Sequence, residues 1–223
     1  MSSSPPIVLS ALGPIDRRHE RQHKSERYFD HILAALILVL LAPLLFVVAM
    51  AIKILDPGPV FFRHQRVGRD GRAFGCFKFR TMVVGAEGKL QHLLDANPES
   101  AREWRETQKL RSDPRVTPLG QFLRKTSLDE LPQLFNVMRG EMSLVGPRPI
   151  VRDEAERYGH LFRQYCSVKP GMTGLWQISG RSDIEYYERV ILDARYVALK
   201  SVWGDFRIMV LTVPAVLSRK GSI

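Results

Sequence analysis

From Ile32 to Ile52 the chain reads ILAALILVLLAPLLFVVAMAI, 21 residues without a charge. At a helical rise of about 1.5 Å per residue, a bilayer core of about 30 Å needs roughly this length. The 31 residues before the run are polar and too long for a secretory leader, and no small-residue cleavage site follows it. Pro43 lies at the centre of the run, removes one backbone hydrogen bond and predicts a kink. Both flanks are basic, with Arg17, Arg18, Arg21, Lys24 and Arg27 on one side and Lys53, Arg63, Arg66 and Arg69 on the other. Lys and Arg are retained on the cytoplasmic side of a membrane. A helix that dips in, breaks at Pro43 and returns satisfies both flanks; a kinked single span satisfies the proline.

Beyond the run the pattern changes repeatedly. Pro59–Arg66 and Ala73–Thr81 are rich in strand formers around Gly68-Arg69-Asp70-Gly71, which predicts a β-hairpin. Residues 84–110 have helical periodicity, with Leu90, Leu93 and Leu94 on one face and a restart at Asn97-Pro98. Shorter helices are expected over 119–125 and 128–138, and longer ones over 183–200 and 205–217. The last has an apolar face of Phe206, Met209, Val210, Val213, Val216 and Leu217, suited to the core or to a membrane interface. The Gly- and Pro-punctuated stretches 143–149 and 169–181 read as loops. The expected class is α+β, mainly α, in three parts: a polar leader (1–26), a membrane helix (27–55) and a C-terminal domain (56–223).

Composition alters this picture at one point. The net charge of +10 is concentrated in residues 53–80, where seven cations face two carboxylates. These would lie beside anionic headgroups or a polyanionic substrate. The aromatic residues are not interleaved with the cations as a base-stacking platform, which argues against nucleic acid. Cys76 and Cys166 form neither a disulfide framework nor a zinc spacing. The chain has no Walker motif, no G-x-G-x-x-G and no serine nucleophile elbow.

Two clusters could carry chemistry. Ser127-Leu128-Asp129-Glu130 fits a helix capping box, but also a nucleophile beside a metal ligand, with Arg124, Lys125 and Arg139 nearby in sequence. Lys78 and Arg80 in CFKFRTM, Arg148 in GPRP and Arg181 in ISGR place cations in turn-rich segments where phosphate oxygens could be met.

From about Arg27 to the C-terminus the chain resembles the bacterial sugar transferases, the monotopic polyprenyl-phosphate phosphoglycosyl transferases. The resemblance rests on the apolar run with its proline and on three further blocks: DPGPVFFRHQRVGRDGRAFGCFKFRTM, LRKTSLDELPQLFNVMRGEMSLVGPRP and KPGMTGLWQISGR. It is nearest to the short exopolysaccharide-initiating members, without the N-terminal multi-span region of larger relatives. It implies that Asp129 is a nucleophile, that Glu130 is a ligand for Mg²⁺, and that Arg124, Arg148 and Arg181 lie near substrate phosphates. It also implies a re-entrant helix broken at Pro43; Ala42 stands where the family often has serine, so the break there rests on the proline and its surroundings. The implied reaction moves galactose or glucose 1-phosphate from a UDP-hexose to undecaprenyl phosphate, releasing UMP, at the cytoplasmic face of the bacterial inner membrane. The expected partners are those two substrates and membrane lipids, with a homo-oligomer open. The competing reading is a membrane-anchored scaffold whose carboxylates only cap a helix.

Overall fold

The computed structural model describes residues 17–107, 110, 113–180 and 184–217. It is mainly helical around two small sheets. Helix α1 (Arg17–Leu55) begins ahead of the expected boundary and carries Pro43 inside it, so helical structure does not end at Ala42-Pro43. The part from Tyr28 to Leu55 is long and apolar enough to cross a membrane. Its packing is divided. Ala34 is fully buried in a cluster with Phe74, Leu134 and Leu144, while Val48 and Ile52 are buried against Phe79 and Leu123. The residues between, around Val39, Leu40, Ala42 and Pro43, are exposed. Both ends of the apolar stretch therefore rest on the same domain.

Strands β1 (Phe61–Val67) and β2 (Ala73–Phe79) form the expected antiparallel hairpin, with Phe62 opposite Lys78 and Arg66 opposite Phe74. Alternation along a strand puts Arg66 and Lys78 on one face of this hairpin. Helices α2 (Ala86–Ala96) and α3 (Pro98–Thr107) divide at Asn97, whose Oδ1 accepts from the backbone N–H groups of Glu99 and Ser100. Pro98 opens the second helix, where its missing N–H is harmless. Helix α4 (Pro118–Thr126) is capped by Thr117, whose hydroxyl accepts from Gly120 N.

The expected helix over 128–138 is instead two pieces. A single 3₁₀ turn, Leu128–Glu130, precedes α5 (Gln133–Met138). Pro132 lacks the N–H that would continue one α-helix through this segment. The buried Asn136 of α5 accepts from Phe77 N and donates to Gly75 O, which straps the helix to β2 and satisfies its amide.

The two expected loops also contain order. Strands β3 (Ser143–Val145) and β4 (Gly171–Thr173) pair in parallel, Ser143 with Gly171 and Val145 with Thr173. Between them lie the one-turn helices α6 (Ala155–Tyr158) and α7 (Phe162–Tyr165), and α8 (Leu175–Ser179) follows β4. The glycines in these blocks let two backbones touch: a Cβ at Gly171 would collide with Gly146 N, and one at Gly174 with Gly146 O. Helix α9 (Tyr186–Leu199) buries Val190, Asp193 and Tyr196. Helix α10 (Val202–Leu217) buries Ile208 but exposes Val202, Trp203, Phe206, Val210 and Val213.

Candidate active site

The 3₁₀ turn and hairpin place one carboxylate pair against a group of cations. Ser127 has left-handed backbone angles (φ 58°, ψ 16°), unusual for a residue with a side chain, and its side chain makes no cap hydrogen bond. The capping-box reading of Ser127–Glu130 therefore fails. Ser127 instead ends α4 and turns the chain so that Asp129 and Glu130 face β2.

Lys78 Nζ donates to Glu130 Oε1 at 2.6 Å. Burial works against the Lys78 ammonium, but Glu130 and Asp129 outweigh it, and its pKa rises. Asp129 is 8% exposed; burial first, then repulsion from Glu130, pushes its carboxyl up to about 6 against the pull of Lys78 and Arg124.

Glu130 and Lys78 line a narrow cleft with Arg66, Cys76, Gln133, Arg148, Trp176 and Gln177. Burial and the neighbouring Arg148 lower the Arg66 pKa, as close-set cations require. Burial raises the Cys76 thiol to about 11, so it is not a thiolate nucleophile. The guanidiniums of Arg148 and Arg189 stack on the Trp176 ring at 4.9 and 4.7 Å. Trp176 Nε1, Gln177 Oε1 and Arg189 Nε are buried with no hydrogen-bond partner among the described residues. Behind Arg189, Asp193 accepts from Tyr158 Oη at 2.7 Å.

The sequence-derived candidates thus divide. Lys78, Glu130 and Arg148 share the cleft, with Asp129 beside them. Arg124 lies outside the cleft lining but close enough to pull on Asp129, and its Nε donates to Thr81 Oγ1 at 3.0 Å. Arg80 turns away: it pairs with Asp56 Oδ2 at 3.4 Å and donates to Asp56 O, tying β2 to the end of α1. Arg181 lies outside the described residues. Ala42 and Pro43 are exposed on α1, remote in sequence from the cleft residues. Sequence reasoning missed Arg66, Gln133, Trp176, Gln177 and Arg189. Only Arg66 had a usable signal, because the hairpin register puts it on the face of Lys78. Among the described residues no group of three His, Cys, Asp or Glu side chains gathers as a metal cage.

A paired carboxylate walled by guanidinium and ammonium groups, on a domain carrying an exposed apolar helix, is the equipment of an enzyme that handles phosphate-bearing substrates. The chain belongs to the bacterial sugar transferase family, whose model matches residues 21–219. It is 49% identical to the exopolysaccharide production protein ExoY of Sinorhizobium fredii, over 89% of this chain and 88% of that one. It is 49% identical to an undecaprenyl-phosphate galactose phosphotransferase of Salmonella typhimurium, over 97% of this chain and 45% of that protein. A UDP-glucose:undecaprenyl-phosphate glucose-1-phosphate transferase of Escherichia coli is 43% identical, over 93% of this chain and 42% of its own length. The chain spans less than half of these last two relatives.

Proposed function

We propose that the protein transfers a hexose 1-phosphate, galactose or glucose, from a UDP-sugar to undecaprenyl phosphate, releasing UMP, as the first step of exopolysaccharide assembly. The observation that carries this reading is the cleft that Glu130 and Lys78 share with Arg66 and Arg148, with Asp129 beside it. The names of the relatives supply the substrates.

In the proposed sequence an Asp129 oxygen attacks the sugar-bearing phosphorus. The P–O–P bond breaks and UMP leaves with the bridging oxygen. An oxygen of the lipid phosphate then attacks the same phosphorus, the Asp129–phosphorus bond breaks, and the carboxylate is restored. Lys78, Arg66 and Arg148 would counter the charge that gathers as anions approach a carboxylate. The unpartnered Trp176 Nε1 and Gln177 Oε1 would find polar partners on a bound nucleotide. Glu130 offers the hard oxygen that suits Mg²⁺, an ion commonly held by one or two carboxylates plus substrate phosphates. Mg²⁺ held there by Glu130 would further offset phosphate charge.

The setting in this reading is the cytoplasmic face of the inner membrane, with α1 entering and leaving by one side. Its support is that Ala34 before Pro43 and Val48 and Ile52 after it pack on the same domain. Intact and peptide mass spectrometry after rapid quenching, with UDP-sugar and no lipid acceptor, tests the chemistry. A phosphosugar adduct on Asp129 with early UMP release is expected. An adduct elsewhere would reassign the nucleophile. Product formed only with both substrates present, without adduct, would replace the two-step scheme by direct displacement.

A further inference from the structure

A second cavity, of about 260 Å³, opens at the hairpin turn and takes no part in the proposed transfer. Its cations are Arg69 and Arg72 from the turn and Lys169 from the segment before β4; Phe74, Gly140 and Glu141 complete much of its wall. The turn is fixed against the Lys169 side, because Asp70 N donates to Cys166 O at 2.8 Å. The two acids of the lining, Asp70 and Glu141, offset part of this charge and leave the cations in excess by one. Glu141 accepts from Asn136 Nδ2 at 2.6 Å, and Asp70 lies 3.6 Å from Arg69.

Two residues of its wall, Phe74 and Lys169, connect the cavity to α1. Phe74 packs in the cluster that holds Ala34, Leu33 and Ile37. Lys169 and Lys200 both act electrostatically on Asp30, two residues before the charge-free run begins at Ile32. Exposed aromatic side chains occur beside the same residues: Tyr28 and Phe29 just before Asp30, and Trp203 and Phe206 just after Lys200. Aromatic rings of this kind concentrate at membrane–water interfaces, and cations facing anionic lipid add about a fivefold gain in binding each. The cavity is thus tied to the polar end of the apolar run, among exposed aromatic rings.

We propose that Arg69, Arg72 and Lys169 form a binding site for the phosphate of an anionic phospholipid headgroup. The proposal rests on the reading that the exposed face of α1 sits in a bilayer. The test uses the full chain in nanodiscs of phosphatidylcholine alone or mixed with phosphatidylglycerol, with native mass spectrometry counting retained lipids after transfer to detergent. One phosphatidylglycerol per chain is expected, with retention falling about fivefold in Arg72→Ala and about 25-fold in Arg72→Ala/Lys169→Gln. Lys89→Ala, an equal charge change on α2, should retain the lipid. Transfer activity on detergent-solubilised acceptor should be unchanged in all three. Equal retention of phosphatidylcholine, or an equal effect of Lys89→Ala, overturns the site. Displacement of the lipid by millimolar inorganic phosphate would reassign it to a soluble anion. Failure of the wild type to enter either disc would overturn the membrane reading itself, whereas entry without lipid preference overturns the headgroup site alone.

Discussion

Two buried aspartates, Asp129 beside the cleft and Asp193 in α9, show what burial alone does not decide. Both carboxyls are raised chiefly by burial, Asp129 to about 6 and Asp193 to about 7. Asp193 is 1% exposed in the middle of α9, held by the Tyr158 hydroxyl and drawn on by the Arg148 backbone and the Arg189 and Arg148 charges. It faces protein on every side. Asp129 stands on a one-turn 3₁₀ segment that the left-handed Ser127 sets against β2, next to a carboxylate that opens into the cleft. A perturbed carboxyl is a candidate nucleophile only where a phosphorus can reach it.

Swapping each aspartate for asparagine sharpens this contrast most. Asp129→Asn should lower transfer by about 10⁴-fold or more, because a neutral amide is a poor nucleophile. Asp193→Asn keeps an oxygen that can accept from Tyr158 and should lower kcat/KM less than about tenfold. UMP release in detergent measures both. Comparable losses would place Asp193 in the chemistry and erase the distinction.

Arg148 joins the two regions, lining the cleft while stacked on Trp176 and acting on Asp193. Truncating a partly buried cation that meets a charged group costs about 2–5 kcal/mol, so Arg148→Ala should reduce kcat/KM at least about 30-fold. Arg148→Lys should recover part of this, since it returns the charge without the planar fork. Unchanged kcat/KM in Arg148→Ala would remove the residue from the site.

The sequence displayed one of these regions more clearly than the other, for physical reasons. The hairpin, the Asn97-Pro98 restart and the long helices are local, so alternation, turn residues and periodicity revealed them. The β3–β4 pair was hidden because each strand has three residues and its partner lies 28 positions away, Ser143 to Gly171. Its glycines signalled turns, whereas they serve close backbone approach. Arg80 looked like Lys78 in CFKFRTM, yet it binds Asp56 at the end of α1. Trp176 and Arg189 meet only because α8 and α9 fold back on the Arg148 loop, and no spacing records that contact. The Ser-x-x-Glu pattern suggested a cap because composition does not reveal that Ser127 adopts positive φ.

The smallest expected effect is on stability, and it has the opposite sign to the effect on activity. An unfolded aspartate titrates near 3.8, and folded Asp129 near 6. Between these values the folded chain binds more protons than the unfolded one, so stability falls as pH rises through that window. Above pH 6 the folded state bears the full penalty of a buried carboxylate beside Glu130. Asp129→Asn removes this titration and should raise stability by roughly 3 kcal/mol at pH 8, with little change near pH 4. Asp193→Asn should act in the same direction, with its window reaching up to about 7. Thermal melts of wild type and both variants in one detergent, at pH 4.5, 6 and 8, measure the difference. If Asp129→Asn were inactive and also less stable at pH 8, its carboxylate would be a structural support, and the loss of activity would reflect a damaged turn rather than a missing nucleophile. A variant that is inactive but more stable would separate the two, because a damaged turn would not leave the fold more stable than before.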